Sequence, residues 1–273
     1  MGAENFSQDS CGNVSLPLRP RKVWGQNFLR CSHIAENIVQ DLKNHGQGDG
    51  LLYEVGPGLG HLTRVLLRAG CCVHGFEIDR RCEDALQALH LEYPAMFTYE
   101  FQDILRVQSL PSVGGCVANL PYNIATTLVW EWVKHRLFPF MTVMMQQEVV
   151  NRLCAPCGSK SYGQLSVMIQ WQAQVRLVLG HIQPSCFMPQ PAVHSAVVSL
   201  VPYDQQDAEQ PSWSQMERVV KTAFSQRRKQ IRTSLKPLFT VHELEGLGIN
   251  PVLRAEDISV QNYKTLALRV KDD

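Results

Sequence analysis

The chain has 273 residues, a net charge of +1, 45% hydrophobic residues and 19% charged residues. This length accommodates one large domain and a small one, and the composition is that of a globular protein rather than a disordered chain. Because no apolar run approaches the ~20 residues of a membrane-spanning helix, we expect no membrane association.

The N-terminus and the cysteines bear on where the protein works in the cell. Residues 1–18 contain no Lys, no Arg and no apolar core, which argues against secretory and organellar signals. The nine cysteines are odd in number and irregularly spaced, which is typical of reduced thiols rather than a disulfide framework. We therefore expect a cytoplasmic protein with a flexible tail over residues 1–18.

The first half of the chain alternates short apolar runs with helical patterns. In chain order, these predict a helix through Ile34, Ile38, Val39 and Leu42, a strand at 51–55, a helix at 61–69, a strand at 71–77, a helix at 80–91, and strands at 97–102 and 115–118. Such alternation predicts an α/β fold with a parallel, doubly wound, Rossmann-like sheet. Ligands bind at the carboxyl ends of its strands, where Glu54, Gly56, Glu77, Asp103 and Asn119 are expected.

The second half of the chain predicts a different C-terminal part. Strands are expected at 141–145, 165–172, 176–179 and 196–201, with a helix at 147–153. The polar stretch from Tyr203 to Ser212 is the best linker candidate, and apolar spacing is helical from Trp213 onward. We therefore divide the chain into a Rossmann-like domain over residues 19–205 and a small all-helical C-terminal domain over residues 206–273.

Residues 55–60 read Val-Gly-Pro-Gly-Leu-Gly and follow the 51–55 strand directly. Glycines allow a tight turn that brings peptide N–H groups near a ligand, but the third glycine comes one residue too early for a dinucleotide fingerprint. Glu77 lies 21 residues after Gly56, where a carboxylate accepts from both ribose hydroxyls. Asp103 is placed to accept from an adenine amine. A ligand that has a ribose and an adenine but no pyrophosphate fits these residues, which indicates S-adenosylmethionine as the cofactor. The alternative role for either carboxylate is to cap a helix.

Asn119-Leu120-Pro121-Tyr122 suits a flat heteroaromatic ring that carries an exocyclic amine. The Asn side-chain oxygen and a backbone carbonyl can both accept from the amine, the proline fixes the backbone, and the Tyr ring can stack on the base. With the cofactor residues, this tetrapeptide predicts a methyltransferase that modifies an amino group of a nucleobase. The alternative for Tyr122 is an ordinary core aromatic.

Two basic segments stand out on an otherwise neutral chain. The first contains Arg19, Arg21, Lys22 and Arg30, and the second contains Arg227, Arg228, Lys229, Arg232 and Lys236. We place Arg227, Arg228, Lys229 and Arg232 of the second segment on a helical stretch, with most of them on one broad face, and predict that these four residues bind RNA. Such patches are typical of contacts with backbone phosphates; the alternative is a solvated face.

The pair Cys154 and Cys157 forms a single CxxC. A structural zinc site needs about four ligands, and no second pair accompanies this one. We therefore expect no metal.

The chain resembles a known family, the bacterial small-subunit (16S) ribosomal RNA adenine N6,N6-dimethyltransferases. The resemblance runs from about Arg21 to the C-terminus, and the motifs that carry it lie at residues 25–29, 54–63, 119–124, 162–167 and 224–229. It implies dimethylation of two adjacent adenosines in the 3′-terminal hairpin of 16S rRNA by S-adenosylmethionine, during assembly of the small subunit. The implied partner is 16S rRNA in the 30S subunit or its precursor, and we expect a monomer.

The resemblance also implies roles for single residues. It suggests Asn27, Leu29, Gly56, Glu77, Asp103 and Asn119 as cofactor contacts, and Asn119, Leu120, Pro121, Tyr122 and Phe187 as the residues that hold the target base. Phe187 resembles the second aromatic beside the base, although it also suits a core position. His194 departs from the family, which more often has Asp there, as does Gly114-Gly115-Cys116.

Two alternatives remain open. The erythromycin-resistance methyltransferases, which modify 23S rRNA, share much of the same core, but the Tyr162–Val167 motif and the Arg-Arg-Lys segment favour the small-subunit enzymes. The second alternative is a ribosome-assembly or transcription factor that keeps the fold without catalysis. The intact Asn-Leu-Pro-Tyr motif argues against this alternative.

Overall fold

The computed structural model of the chain describes residues 26–107, 110, 112–204 and 209–271. The predicted tail over residues 1–18, the basic residues Arg19, Arg21 and Lys22, and the proposed boundary between residues 205 and 206 lie outside the described residues. The strands are β1 (Phe28–Leu29), β2 (Leu51–Val55), β3 (Cys72–Glu77), β4 (Phe97–Phe101), β5 (Gly115–Asn119), β6 (Met141–Gln146), β7 (Ala173–Ile182), β8 (Phe187–Met188) and β9 (Ser195–Pro202). The helices are α1 (Ser32–Asn44), α2 (His61–Arg68), α3 (Glu83–Glu92), α4 (Ala125–His135), α5 (Gln147–Leu153), α6 (Gln164–Gln172), α7 (Trp213–Phe224), α8 (Ile231–Ser234), α9 (Val241–Gly246) and α10 (Val260–Ala267).

Seven strands of the described chain form one sheet in the order β4-β3-β2-β5-β6-β9-β7. Strands β4, β3, β2, β5 and β6 are parallel, whereas β9 is antiparallel to both β6 and β7. The predicted α/β fold with a parallel, doubly wound sheet is confirmed. Because β9 runs in the opposite direction, its first residue lies at the edge where β2 to β6 end.

Helices cover both faces of the sheet. On one face, Ile38 of α1, Leu66 of α2 and Leu86 of α3 are fully buried against strand residues. On the other face, Leu128 of α4 and Val150 of α5 are buried in a second cluster. Residues on both faces are apolar, as expected for a parallel sheet that is covered on both sides.

The segment Leu165–Gln172 is helical, so the prediction of a strand there is wrong. Helix α6 places Leu165 and Ile169 in the core of the sheet, and Met168 and Trp171 in a third cluster that it shares with the C-terminal helices. A helix that packs on both sides is apolar all round. It therefore lacks the one-sided periodicity by which a helix is recognised in a sequence.

The C-terminal helices begin at recognisable caps. At the start of α7, Ser212 Oγ accepts from the backbone N–H of Gln215 at 3.1 Å, and the Gln215 side-chain oxygen accepts from the Ser212 N–H at 2.8 Å. Thr240 and Glu243 make the same reciprocal pair at the start of α9. Such capping boxes satisfy N–H groups that a helix leaves unpaired. The helical prediction from Trp213 onward is confirmed.

The basic side chains near residue 228 do not lie on one helix, which corrects the predicted helical face. Helix α7 ends at Phe224, residues 225–228 form a turn, and α8 begins only at Ile231. The Lys229 N–H closes this turn on the Gln226 carbonyl at 2.8 Å. Gln230 then forms a bridge with Arg254, which holds the chain extended between the two helices.

In the described ranges, no helix has both the length and the apolar character needed to cross a membrane. The same ranges contain no group of three or more His, Cys, Asp or Glu side chains arranged to hold a metal ion.

Candidate cofactor and target site

A cleft opens at the carboxyl ends of β2, β3, β4 and β5. Its lining includes Gly56, Glu77, Asp103 and Asn119, each of which ends or follows one of these strands. The structure therefore brings together four of the residues that the sequence places at strand ends. This edge is where an open α/β sheet binds its ligands.

The glycine loop lines the cleft through Gly56 and Gly58, and three of its residues adopt left-handed backbone conformations, the third being Gly60 with φ of 77°. Gly56 has φ of 71° and Gly58 has φ of 58°. At Gly58 a side chain is also excluded by space, since an added Cβ would lie 2.8 Å from Cε1 of Phe28. The loop therefore requires glycine for its shape and for the close packing of Phe28.

Glu77 is 4% exposed and holds the loop in place. One carboxylate oxygen accepts from the Gly58 N–H at 2.8 Å, and the other accepts from the N–H groups of Ile78 and Asp79, both at 2.9 Å. Burial raises the pKa of Glu77, and the hydrogen bonds from these backbone groups oppose that shift. The carboxylate is thus fixed at the cleft by three backbone N–H groups.

Asp103 lines the cleft at the end of β4 and also caps a short turn. Its Oδ1 accepts from the Leu105 N–H at 3.0 Å. The capping role that the sequence allows is therefore present at Asp103. It does not prevent contact with a ligand, because an ionised carboxylate has about four acceptor sites.

Glu54 is a buried carboxyl at the end of β2, with 2% exposure. Burial raises the pKa of Glu54 to about 8, and the nearby Glu77 carboxyl adds to this shift. At neutral pH Glu54 is therefore mostly neutral. The sequence places Glu54 at the strand end but does not reveal its protonation.

The Asn119 side chain has a fixed orientation in the cleft. Its Nδ2 donates to the backbone carbonyl of Asn27 at 2.8 Å. One N–H of the amide is thus engaged with the protein, and Oδ1 is the acceptor atom of the side chain. Just beyond it, the Leu120 N–H donates to the Met144 carbonyl at 3.1 Å, and the Pro121 carbonyl accepts from Ala125 at the start of α4.

Tyr122 lies next to the cleft lining at Pro121 without itself lining the cleft. Its ring is half-buried, and its hydroxyl lies 2.5 Å from Oγ of Ser195, the first residue of β9. Burial raises the pKa of the Tyr122 hydroxyl, and the hydrogen bond to Ser195 opposes this. Ser195 could not be predicted from the sequence, since a single serine carries no signal of a contact 73 positions away.

Phe187 and Leu29 lie in the core beside the cleft rather than in it. Phe187 is 1% exposed, Leu29 is 4% exposed, and the two are paired between β8 and β1. In this conformation Phe187 offers a base no open ring face. Its predicted stacking role, like the cofactor contact of Leu29, stays a prediction.

The segment Gln26–Phe28 forms one wall of the cleft. Gln26 Nε2 donates to Oδ2 of Asp79 at 2.9 Å, and Arg81 donates to the same carboxylate. Burial pushes the pKa of Asp79 upward, but the hydrogen bonds from Arg81 and Gln26 outweigh it and hold the pKa below its usual value. The sequence signals Asn27 but neither Gln26 nor Asp79, because their contact joins positions that are distant in the chain.

The four basic residues predicted to bind RNA differ in their surroundings. Arg228, Lys229 and Arg232 are exposed. Arg227 is instead engaged with the protein: its Nε donates to Glu256 at 2.8 Å, and its Nη2 donates to the Tyr162 carbonyl at 3.1 Å and to the carbonyl of Lys160. Arg227 therefore stabilises the turn through contacts within the protein, whereas the other three cations are exposed.

Comparison with known proteins gives consistent relatives. A family model described as ribosomal RNA adenine dimethylase matches residues 18–272. The ribosomal RNA small subunit methyltransferase A of Sphingopyxis alaskensis is 39% identical over 260 residues, with 92% of this chain and 94% of that protein covered. The protein of the same name from Vibrio cholerae is 38% identical over 264 residues, covering 93% and 95%.

Solved structures show the same fold at lower identity. A dimethyladenosine transferase from Plasmodium falciparum has a TM-score of 0.76 and 22% identity, with 88% of this chain and 95% of that chain covered. A 23S rRNA methyltransferase, ErmE, has a TM-score of 0.71 and 22% identity, covering 89% and 99%. At this identity the likeness concerns the fold alone.

Proposed function

The chain belongs to the ribosomal RNA adenine dimethylase family, and from this we propose that it dimethylates N6 of two adjacent adenosines in the 3′-terminal hairpin of 16S rRNA. As a member it is an rRNA adenine methyltransferase that uses S-adenosylmethionine. Its proposed partner is 16S rRNA in the 30S subunit or its precursor. We further propose that it acts as a monomer in the cytoplasm during ribosome assembly.

The orientation of the Asn119 amide carries this proposal. Its Nδ2 is held by the Asn27 carbonyl at 2.8 Å, so Oδ1 is positioned to accept a hydrogen bond from an exocyclic amine. An acceptor at this point selects a donor on the target base, as N6 of adenine is. The same amide lies in the cleft that contains Glu77 and the glycine loop, so the target amine and the cofactor meet at one side chain.

The cleft residues fit S-adenosylmethionine. Glu77 would accept from the ribose hydroxyls, Asp103 from the adenine amine, and the loop at Gly56 would lie against the remainder of the molecule. Asn27 and Leu29 would close the site from the side of β1. The cofactor supplies an activated methyl group, so the protein's task is to bind and orient.

The target adenosine must leave its stack to reach this site, as the substrates of base-modifying enzymes do. The N6 lone pair is delocalised into the ring. Hydrogen bonds from N6 to Asn119 Oδ1 and to the Leu120 carbonyl favour a tetrahedral nitrogen, which exposes the lone pair. Pro121 holds that carbonyl in place, and Tyr122 stacks on the base. Phe187 would join the stack only after its ring becomes exposed. No general base is required, because the methylated amine is acidic and loses its proton to water.

We propose that Arg228, Lys229 and Arg232 hold RNA phosphates, since all three are exposed, the first two at the turn after α7 and Arg232 on α8. Arg227, also predicted to bind RNA, supports this surface by bracing the turn against Glu256. The proposed division at residues 205 and 206 assigns this surface to the helical domain. Its core, however, includes Met168 and Trp171 of α6.

Methyl transfer to undermethylated 30S subunits tests the proposed function. Tritiated S-adenosylmethionine should label two adjacent adenosines near the 3′ end of 16S rRNA, located by primer extension. An Asn119→Ala variant serves as the control and should leave both unlabelled. Label in 23S rRNA, or cofactor binding without transfer to either RNA, would contradict the proposal.

A further inference from the structure

The hydroxyl of Tyr122 is tied to a residue that lies far from the Asn119–Tyr122 motif in the sequence. Oγ of Ser195 lies 2.5 Å from Oη of Tyr122, and 73 positions separate the two residues. Tyr122 follows β5, whereas Ser195 begins β9, and β6 lies between these strands in the sheet. The hydrogen bond therefore spans one strand of the sheet at its ligand-binding edge.

Ser195 is a rigid point of attachment. It has no exposed surface, and it is paired with Gln146 of β6 on one side and with Ile182 of β7 on the other. The residue before it, His194, accepts through its carbonyl from the Gln147 N–H at 2.9 Å. Because the backbone of Ser195 is held on both sides, its hydroxyl cannot follow movements of the Tyr122 ring. The hydrogen bond therefore restrains the ring.

The other end of Tyr122 is fixed at the backbone. The Leu120 N–H donates to the Met144 carbonyl at 3.1 Å, and the Pro121 carbonyl accepts from Ile124 and Ala125 at 3.2 and 3.0 Å. With the backbone held at one end and the hydroxyl at the other, the position and the direction of the long axis of the ring are fixed. Pro121, the adjacent residue, lines the cleft.

We propose that Ser195 is a positioning residue for methyl transfer, which sets the direction of the long axis of the Tyr122 ring relative to the target adenine through the hydrogen bond between the Ser195 and Tyr122 hydroxyls. The inference rests on the proposed function, since it requires that the ring stacks on the base. Stacking places N6 relative to Asn119 Oδ1, and small errors in the alignment of reacting atoms lower the rate of a bound complex. Ser195 should therefore affect the rate of transfer within the complex rather than the binding of either substrate.

Two variants break this hydrogen bond from opposite ends. Ser195→Ala removes one hydroxyl, and Tyr122→Phe removes the other while it keeps the ring. We expect each to lower the single-turnover rate of methyl transfer to undermethylated 30S subunits about three- to tenfold, the range that corresponds to the net contribution of one hydrogen bond. The affinities for S-adenosylmethionine and for the 30S subunit should stay within about twofold, because neither hydroxyl meets a ligand.

The double variant Ser195→Ala/Tyr122→Phe should be no slower than the slower single variant, because both changes remove the same interaction. Ser199→Ala is the matched control: Ser199 is another buried serine of β9, 3% exposed and paired with Thr142 of β6. It should leave the rate unchanged. If Ser195→Ala does not fold, Tyr122→Phe still tests the bond from the other end.

The possible results distinguish failure of the role of Ser195 from failure of the proposed function. Unchanged rates in Ser195→Ala and Tyr122→Phe, effects that multiply in the double variant, or an equal loss in Ser199→Ala would each overturn the role of Ser195. Failure of the unaltered protein to methylate any small-subunit adenosine would instead overturn the proposed function itself.

Discussion

At the residue scale, three backbone N–H groups converge on Glu77, and this fixes its carboxylate beside the cleft. Gly58, Ile78 and Asp79 donate to it at 2.8 to 2.9 Å. The carboxylate is therefore oriented before any ligand arrives. In the proposed role of Glu77 as the ribose acceptor, affinity gains from this because little ordering remains to be done on binding.

We expect Glu77→Ala to weaken S-adenosylmethionine binding more than tenfold. Removing a charged acceptor costs about 1.5–3 kcal/mol, and the loop at Gly58 also loses its anchor. Isothermal titration calorimetry measures the affinity. Glu100→Ala, on the adjacent strand β4 and exposed, should bind normally. Equal affinity in the Glu77 variant would show that the carboxylate only supports the loop.

Asn119→Ala should abolish most methyl transfer and leave the affinity for rRNA nearly unchanged. The amide acts on the target nitrogen and not on the RNA backbone. Some loss of cofactor affinity is expected, because the side chain lies in the same cleft. Transfer rates at saturating cofactor and 30S binding are the two measurements, with Asn44→Ala on α1 as the control. Near-normal transfer by the Asn119 variant would reduce this residue to a structural role.

Glu54 should make the protein less stable as the pH rises. Its folded pKa of about 8 lies above the ordinary value of 4.5, so between these values the folded state binds more protons than the unfolded state. The contribution of Glu54 is therefore fully present below about pH 4.5 and is lost towards pH 8. In Glu54→Gln this loss should disappear, and the difference from the unaltered protein between pH 5 and 8 should be roughly 3 kcal/mol. Urea unfolding at both pH values measures it; parallel pH dependences would mean that Glu54 is ionised in the folded protein.

At the element scale, the turn between α7 and α8 presents its cations differently from a helix. Arg228 and Lys229 are exposed on the turn, whereas Arg227 folds back onto the carbonyls of Lys160 and Tyr162. Arg227 thus attaches the turn to the segment between α5 and α6. Its other cations remain available to an anion.

Arg228→Ala/Lys229→Ala should weaken 30S binding uniformly across RNA sequences and leave S-adenosylmethionine affinity unchanged. The salt dependence should also flatten, by about 0.7–0.9 in the log–log slope for each phosphate that the variant no longer binds. Lys43→Ala/Lys134→Ala, which removes two exposed lysines from α1 and α4, is the charge-matched control. Arg227→Ala should chiefly lower the thermal stability. A slope that does not change in the Arg228/Lys229 variant would mean that this surface is simply solvated.

The elements that could be predicted from the sequence are those with a local signal. Strands β2 to β5 and the glycine loop follow from short apolar runs and glycine spacing, and so does the placement of Glu77 and Asn119 at strand ends. Helix α6 has no such signal, because Ile169 and Trp171 pack into different clusters on its two sides.

The hydrogen bonds that complete the site could not be predicted, for a related reason. Gln26 with Asp79 and Tyr122 with Ser195 join residues 53 and 73 positions apart. Pairings of this kind are set by the order of the strands, which the sequence pattern does not give. The basic turn at Arg228 was not predicted because helical spacing continues on both sides of it.

At the scale of the whole molecule, the C-terminal helices share a core with α6. Met168 and Trp171 of α6 are buried with Met216 and Val219 of α7, and Trp213 packs edge-on against Trp130 of α4 with ring centroids 5.2 Å apart. The sheet and the C-terminal helices therefore depend on one another for the burial of apolar surface.

We expect a single cooperative unfolding transition in calorimetry, because α6 cannot stay buried when either part unfolds. Trp171→Ala should lower the midpoint without splitting the transition. A control at Val241, an exposed apolar residue of α9, should have little effect when changed to Ala. Two separate transitions would show that the two parts are thermodynamically independent.

The reversed direction of β9 also determines where the protein can change during evolution. Because β7 ends and β9 begins at the ligand-binding edge, the entire connection between them, residues 183–194, lies there. This one continuous stretch contains Phe187, whose strand pairs with β1 beside the cleft, and it leads directly into Ser195. An insertion or exchange within it would reshape the surface beside the cleft while every strand of the large sheet keeps its register. Diversification of substrate preference among descendants of this scaffold is thus expected to concentrate in residues 183–194, and grafting this stretch between relatives is the direct route to altering it.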